Sequence, residues 1–109
     1  MKEQIKIKQL SPEERQEIKM QALKYFGANA QFMVCIEELG ELIQALAKKA
    51  RFPESSNENL VEEIADAMIT ISYLPVIFGI SEKEILDAQN AKLIRLQEMI
   101  VKNSLNEES

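Results

Sequence analysis

The sequence has no histidine and no tryptophan, and it has one cysteine in 109 residues. Without an imidazole, a serine or cysteine nucleophile lacks its usual activating base. One cysteine cannot form an intrachain disulfide, and with no histidine in the chain a zinc site built from Cys and His ligands is disfavoured. Because Cys35 lies in an apolar stretch, we predict that it is a buried thiol with a packing role.

Long apolar runs and an excess of positive charge are missing as well. No apolar stretch is long enough to cross a membrane, and no apolar segment typical of a signal peptide follows the first four residues. The 13 basic residues are outnumbered by 18 acidic ones, for a net charge of -5, which disfavours binding to a nucleic-acid polymer. We therefore expect a cytoplasmic protein without a membrane or nucleic-acid partner.

Glycine and proline occur three times each, and they help to divide the chain into four predicted α-helices. Capping-box patterns at Ser11 and Ser81 begin the first and last helices, and Gly27 ends the first. Pro75 is expected to kink or break the third helix near its end, and residues 103–109 are expected to form a frayed tail. The predicted helices cover, approximately, residues 12–26, 28–51, 58–78 and 82–102.

Apolar residues recur at spacings of three and four along the two central helices, which is typical of a core-facing helix side. Helices joined by short connections are expected to pack antiparallel. We therefore predict an all-α, antiparallel four-helix bundle in which residues 1–109 form a single domain. A chain this short buries limited surface by itself, so it has reason to form an oligomer. The predicted core positions are Phe32, Ile36, Leu39, Ile43 and Leu46 in the second helix and Leu60, Ile64, Ala67, Ile71 and Leu74 in the third.

Each central helix carries two carboxylates three residues apart: Glu38 with Glu41, and Glu63 with Asp66. Residues three apart share a helix face, so the two pairs can meet across an antiparallel helix pair. Like charges about 4 Å apart repel by roughly 4 kcal/mol at an effective dielectric near 20. Such a cluster must be solvated, partly protonated, paired with Lys or Arg, or neutralised by a cation.

A site made only of oxygen ligands favours a hard cation, and we predict Mg²⁺ or Mn²⁺. The spacing alone is not specific, because Glu14 with Glu17 and Glu84 with Asp87 also show it. The central pairs differ because they lie beside the apolar stripes of consecutive helices joined by a short loop. Gly40 also lies between two of the carboxylates, where a missing side chain allows close approach of a helix or ligand.

The pattern Glu37-Glu38-x-x-Glu41, followed about twenty residues later by Glu62-Glu63-x-x-Asp66, resembles the motifs of the MazG-like all-α nucleoside triphosphate pyrophosphohydrolases. The likeness covers roughly Gly27 to Ile100. It implies a metal-dependent hydrolase, with Mg²⁺ as cofactor, that cleaves a nucleoside triphosphate to a monophosphate and pyrophosphate and clears unwanted nucleotides. It also implies a homodimer or homotetramer, with the metal held by Glu38, Glu41, Glu63 and Asp66.

Other residues are candidates for the same chemistry. Glu38 or Glu41 can activate the attacking water, and the sequence does not choose between them. Glu37 and Glu62 either contact the metal ligands without binding the metal themselves or are surface residues. Phosphate oxygens need cationic or polar contacts. The candidates for these contacts are Lys48, Asn90, Lys92 and Arg95. The alternative interpretation of these four residues is that they form exposed polar faces of their helices. Tyr73 or Phe32 can stack on a base, although core packing is favoured for both.

Two other interpretations remain open at this point. Phosphoribosyl-ATP pyrophosphohydrolases have related carboxylate motifs, although the surroundings of the motifs resemble that class less. A noncatalytic helical interaction module with a solvated acidic face is the alternative outside enzymes. Burial distinguishes an enzyme of either class from the noncatalytic module, because an active site requires the carboxylates to converge whereas a solvated face lets them diverge.

Overall fold

The computed structural model describes residues 7–108. Over this range it contains four α-helices and no strand: α1 (Pro12–Phe26), α2 (Ala28–Arg51), α3 (Glu58–Phe78) and α4 (Glu82–Glu108). The prediction of an all-α protein is confirmed. The bounds of α1, α2 and α3 agree with the predicted ones, whereas α4 continues beyond its predicted end at about residue 102. The chain divides into two compact units, Met1–Leu74 and Pro75–Ser109, and the antiparallel bundle stays a prediction.

Both predicted capping boxes are present. The Ser11 hydroxyl accepts a hydrogen bond from the Glu14 amide at 3.1 Å, and the Glu14 carboxylate accepts one from the Ser11 amide at 3.1 Å. Ser81 and Glu84 make the same exchange at the start of α4, at 3.1 and 2.7 Å. These bonds satisfy amides that have no partner inside the helix. In each case the backbone hydrogen bond is the largest cause that lowers the glutamate pKa.

Pro75 lies inside α3, and the helix continues to Phe78. The Ile80 amide donates to the Pro75 carbonyl at 2.8 Å, and the amide of Gly79, whose φ is 66°, donates to the Val76 carbonyl at 3.4 Å. This pair of bonds is a Schellman ending, which uses the positive φ that glycine adopts without strain. The proline is therefore accommodated in the last turn of the helix.

Residues 103–108, which belong to the predicted frayed tail, continue α4 as a helix. No glycine or proline follows Ser81, so nothing in the backbone chemistry ends the helix earlier. Among the described residues no single helix is long and apolar enough to cross a membrane, and α3 and α4 meet that criterion only when counted together across their break.

The predicted core stripes are largely wrong for the single chain. Ile36, Ile43 and Leu46 of α2 are exposed, as are Ile64 and Ile71 of α3. Ala67 of the predicted α3 stripe is buried, which confirms that position. The other buried residues lie on a neighbouring face of each helix, and they are Gln31, Cys35 and Ala45 on α2 and Thr70 and Tyr73 on α3. Periodicity identifies an apolar face, but it does not identify what covers that face.

Candidate metal centre

The buried face of α2 and the buried face of α3 each include a glutamate. On α2, Glu38 follows the buried Cys35 by three residues and is half-buried. On α3, Glu63 precedes the buried Ala67 by four residues and is also half-buried. Residues three or four apart share a helix side, so each carboxylate occupies a position that normally holds a core residue.

Three of the four predicted metal ligands come together between the two helices. Glu38, Glu41 and Glu63 each offer a carboxylate oxygen, and these atoms all lie within 4.8 Å of one another. Glu38 and Glu63 are half-buried, whereas Glu41 is exposed. The predicted convergence of carboxylates from two consecutive helices is present for these three residues, which we call the carboxylate cluster.

Two oxygens of the carboxylate cluster have no hydrogen-bond partner. They are Oε2 of Glu38 and Oε2 of Glu63, and both are shielded from solvent. The nearby Glu41 is another carboxylate, so it can share a proton with either of them only when one of the groups is protonated. A buried acceptor without a donor is unfavourable, and this cost lowers the stability of the metal-free fold.

The pKa values of Glu38 and Glu63 respond to this environment. Desolvation is the largest cause that raises the pKa of Glu38, and the charge of Glu41 is the next. The pKa of Glu63 is raised by the same two causes in the same order. In both cases burial and neighbouring negative charge penalise the ionised form. A cation bound to these oxygens would oppose both effects.

Basic side chains do not neutralise the carboxylate cluster within the part of the chain that the structure describes. The two ion pairs in that part join Lys8 to Glu14 and Lys83 to Asp87, and both lie outside the cluster. Of the four ways expected from the sequence to stabilise the cluster, pairing with Lys or Arg is therefore not used. Solvation, protonation and a bound cation are left.

Asp66, the fourth predicted ligand, is exposed and lies outside the group of three. Its negative charge nevertheless contributes to the raised pKa of both Glu38 and Glu63, so it lies within electrostatic range of the cluster. Glu62 is exposed and adds a smaller contribution at Glu63. Glu37 is exposed.

The expected role of Gly40 is not found within the single chain. A Cβ at Gly40 would meet no heavy atom within 4 Å, so no described helix approaches closely enough to require a glycine there.

The predicted phosphate contacts lie in both compact units. Lys48 lines a cavity of about 420 Å³ at the α2–α3 connection, together with Lys49, Ser56 and Glu62. Asn90, Lys92 and Arg95 are exposed on α4, in the second unit, and their phosphate role stays a prediction.

Sequence reasoning did not identify Lys49 as a cavity residue or Thr70 as a buried one. Lys49 Nζ donates to the Ser55 carbonyl and so bridges α2 to the loop. The Thr70 hydroxyl donates to the Ala67 carbonyl at 3.1 Å, which satisfies it inside the core.

Tyr73 is 5% exposed, and this burial supports core packing over base stacking. Phe32 is half-buried.

No protein-family model, curated protein or solved structure matches the chain.

Proposed function

We propose that this protein is a metal-dependent nucleotide pyrophosphohydrolase related to the MazG-like enzymes, cleaving a nucleoside triphosphate to a monophosphate and pyrophosphate. The observation that supports the proposal is the carboxylate cluster with its two buried, unpartnered oxygens on Glu38 and Glu63. A merely solvated acidic face would instead present its oxygens to water.

The residues present fit a divalent cation. Carboxylate oxygens suit Mg²⁺ and Mn²⁺, and Glu38, Glu41 and Glu63 would hold the ion, with Asp66 as the fourth candidate ligand. When bound, such a cation neutralises charge on phosphate oxygens and makes water a better nucleophile. The unpartnered oxygens of Glu38 and Glu63 then gain the positive partner that the rest of the described chain does not supply.

The different exposure of the three glutamates suggests different roles. Glu38 and Glu63 are half-buried and would mainly fix the cation. Glu41 is exposed while remaining within the cluster, so it has the access that a residue orienting or deprotonating water requires. We therefore assign the general-base role to Glu41 and a holding role to Glu38.

The remaining parts of the proposal come from the composition of the sequence and from the motif resemblance. Lys48, Asn90, Lys92 and Arg95 would contact the phosphates, and Mg²⁺ would be the usual cation. The protein would act in the cytoplasm as a homodimer or homotetramer and would remove unwanted nucleotides. A phosphoribosyl-ATP substrate and a noncatalytic helical module are the alternatives that the experiment separates.

Pyrophosphate release from a panel of nucleoside triphosphates and phosphoribosyl-ATP, with and without Mg²⁺, tests the proposal. We expect Mg²⁺-dependent release that is lost in Glu38→Gln and in Asp66→Asn. Glu17→Gln is the matched control, because Glu17 belongs to the E-x-x-E pair of α1 and is itself exposed. No release from any substrate, or equal release by the wild type and the cluster variants, rules out the assignment.

A further inference from the structure

The cavity at the α2–α3 connection has a volume of about 420 Å³, and we call it the loop cavity. Its lining includes Ala45 and Lys48 on α2, together with Ser56, Asn59 and Glu62 at and after the start of α3. The volume is within the range of pockets that bind small molecules. A phosphate contact by Lys48 is the only role proposed so far that involves this cavity, and it does not explain the space itself.

The loop cavity lies next to the carboxylate cluster. Pairs of residues that lie close together across α2 and the segment after it have numbers that add to 104, and they are Glu41 with Glu63, Lys49 with Ser55, and Ala45 with Asn59 in the cavity lining. The chain after the loop therefore runs back along α2. Ala45 follows Glu41 by four residues, which is one helical turn or about 6 Å. The cavity therefore begins about one turn from the cluster, toward the loop.

The charges around the loop cavity balance. Lys48 and Lys49 line it together with Glu58 and Glu62, so two positive and two negative groups surround the space. Lys49 Nζ already donates to the Ser55 carbonyl. Because the carboxylates repel other negative charges, the cavity suits a neutral polar group better than a polyphosphate.

Asn59 is a polar group of the loop cavity that is available to a ligand. Its side chain is exposed and makes no hydrogen bond with any of residues 7–108. By contrast, the Ser55 hydroxyl donates to the Phe52 carbonyl, and the Ser56 hydroxyl accepts from the Glu58 amide. A carboxamide offers a donor and an acceptor side by side, which matches the neighbouring donor and acceptor on the edge of a nucleobase.

The loop cavity also has an apolar part, formed by Ala45 and Leu60. Ala45 is 8% exposed, and its small side chain leaves room beside Asn59 that a larger one would fill. Leu60 is half-buried. A nucleobase has an apolar face and a polar edge, and proteins bind it by contacts to both. The combination of Ala45, Leu60 and Asn59 fits such a group.

We infer that the loop cavity binds the base and sugar of a nucleotide whose phosphates lie at the carboxylate cluster, and that the Asn59 carboxamide contacts the base. The inference rests on the proposed function, for which it makes Asn59 a specificity-determining residue. Helical side chains lean toward the N-terminus of their helix, so Lys48 reaches from the cavity toward the cluster and keeps its proposed phosphate contact. The substrate is then a nucleoside triphosphate, because an inorganic polyphosphate leaves the cavity empty.

Binding of uncleavable ligands tests the inference without turnover. The probes are the α,β-methylene analogues of ATP, GTP, CTP and UTP, and tripolyphosphate is the matched ligand without a nucleoside. In NMR spectra recorded with Mg²⁺, we expect the analogues to shift the Asn59 side-chain amide and the backbone amides of Ser55 and Ser56, and tripolyphosphate to leave them unchanged. Equal shifts with tripolyphosphate indicate a phosphate site and overturn the inference. Absence of these shifts with all the analogues overturns it too.

Filling the loop cavity separates nucleoside binding from phosphate binding. Ala45→Leu places a larger side chain beside Asn59, so we expect the Kd of the analogues to rise by about tenfold and that of tripolyphosphate to stay unchanged. Ala47→Leu is the control, because Ala47 is exposed on the same helix and lies outside the cavity lining. Isothermal titration calorimetry measures the constants, and circular dichroism checks that each variant is helical. Equal weakening of both kinds of ligand, or weakening of neither, contradicts the inference.

A substitution of Asn59 provides a test that leaves the core intact, since Asn59 is exposed whereas Ala45 is buried. Asn59→Leu removes the donor and the acceptor, so we expect the Kd of the analogues to rise about three- to tenfold without a change for tripolyphosphate. Asn103→Leu is the matched control, because Asn103 is an exposed asparagine on α4. Unchanged binding of every analogue to Asn59→Leu shows that Asn59 does not contact the base.

Failure of this inference and failure of the proposed function give different results. Binding of the analogues in the loop cavity without pyrophosphate release from any substrate supports the cavity and contradicts the enzyme assignment. Pyrophosphate release by a protein in which the analogues do not shift the Asn59 amide supports the enzyme assignment and overturns the cavity.

Discussion

Glu38 on α2 and Glu63 on α3 present carboxylate oxygens within 4.8 Å of each other, and each has a buried Oε2 without a hydrogen-bond donor. Two half-buried glutamates in such proximity are unfavourable in the metal-free chain, because burial raises the pKa of both. The stability of the fold should therefore change when these glutamates are protonated and when a cation binds to them. Both changes can be measured.

The first prediction concerns the stability of the metal-free protein. A glutamate whose pKa is raised in the folded state contributes stability below its unfolded pKa of about 4.5, and that contribution is lost as pH rises through the folded pKa. At pH 7 ionised Glu38 therefore destabilises the fold, and we expect Glu38→Gln to raise the melting temperature in EDTA. The increase should disappear near pH 4. Glu17→Gln is the control, and a melting temperature lowered at pH 7 by Glu38→Gln contradicts the prediction.

The second prediction concerns cation binding. A ligand that binds only the folded state stabilises it by about 2.7 kcal/mol at a hundred times its dissociation constant. We expect saturating Mg²⁺ or Mn²⁺ to raise the wild-type melting temperature, and EDTA to reverse the effect. Glu38→Gln and Glu63→Gln should show little of this increase, whereas Glu17→Gln should retain it. Equal stabilisation of all four proteins would mean that the cations bind elsewhere.

The third prediction separates the roles of Glu41 and Glu38. If Glu41 orients or deprotonates water, Glu41→Gln lowers turnover by about 10²–10⁴-fold. The cation, still held by Glu38 and Glu63, raises the melting temperature of this variant, although by less than in the wild type because one ligand is lost. Glu38→Gln should lower both turnover and the cation-dependent stabilisation. The comparison needs kcat at saturating Mg²⁺ alongside the thermal shift of each variant. Identical behaviour of the two variants would remove the distinction that exposure suggests.

The helices themselves are predictable from the sequence because their ends depend on local chemistry. Ser11 and Ser81 cap through side-chain bonds to residues three positions later, and Gly79 ends α3 with a positive φ. These signals involve only a few consecutive residues, so the chain carries them without tertiary information. Residues 103–108 are helical in the structure, because a polar composition does not by itself end a helix and no glycine or proline lies there to break it.

The faces of the helices are harder to predict because burial depends on what surrounds them. The apolar spacing of Ile36 and Ile43 predicts a covered face, but the single chain packs α2 through Cys35 and Ala45 instead. The carboxylate spacing succeeds for three residues, since Glu38, Glu41 and Glu63 converge. The position of Lys49 in the cavity depends on the path of the loop between α2 and α3. Residue spacing within a helix does not specify that path.

The fourth prediction concerns the two helix starts. Replacing a capping serine by alanine costs about 1 kcal/mol, so Ser11→Ala and Ser81→Ala should each lower the free energy of unfolding by roughly that amount. The caps begin separate helices, and we expect the double variant to show nearly the sum of the two losses. Chemical denaturation at pH 7 measures all three, with the exposed Ser104→Ala as the control. A loss in Ser104→Ala as large as in the cap variants would show that capping is not the cause.

The fifth prediction concerns the contribution of the two helix caps to the pH dependence of stability. Hydrogen bonds from the Ser11 and Ser81 amides lower the pKa of Glu14 and Glu84 from the usual value of about 4.5. A lowered pKa contributes stability that is present above the unfolded pKa. That stability is lost as pH falls through the folded pKa, which is opposite in sign to the effect of Glu38. We therefore expect Glu14→Gln to reduce the stability of the metal-free protein at pH 7 and to have little effect near pH 2. A loss of the same size at both pH values would mean that the charge of Glu14 does not take part in the cap.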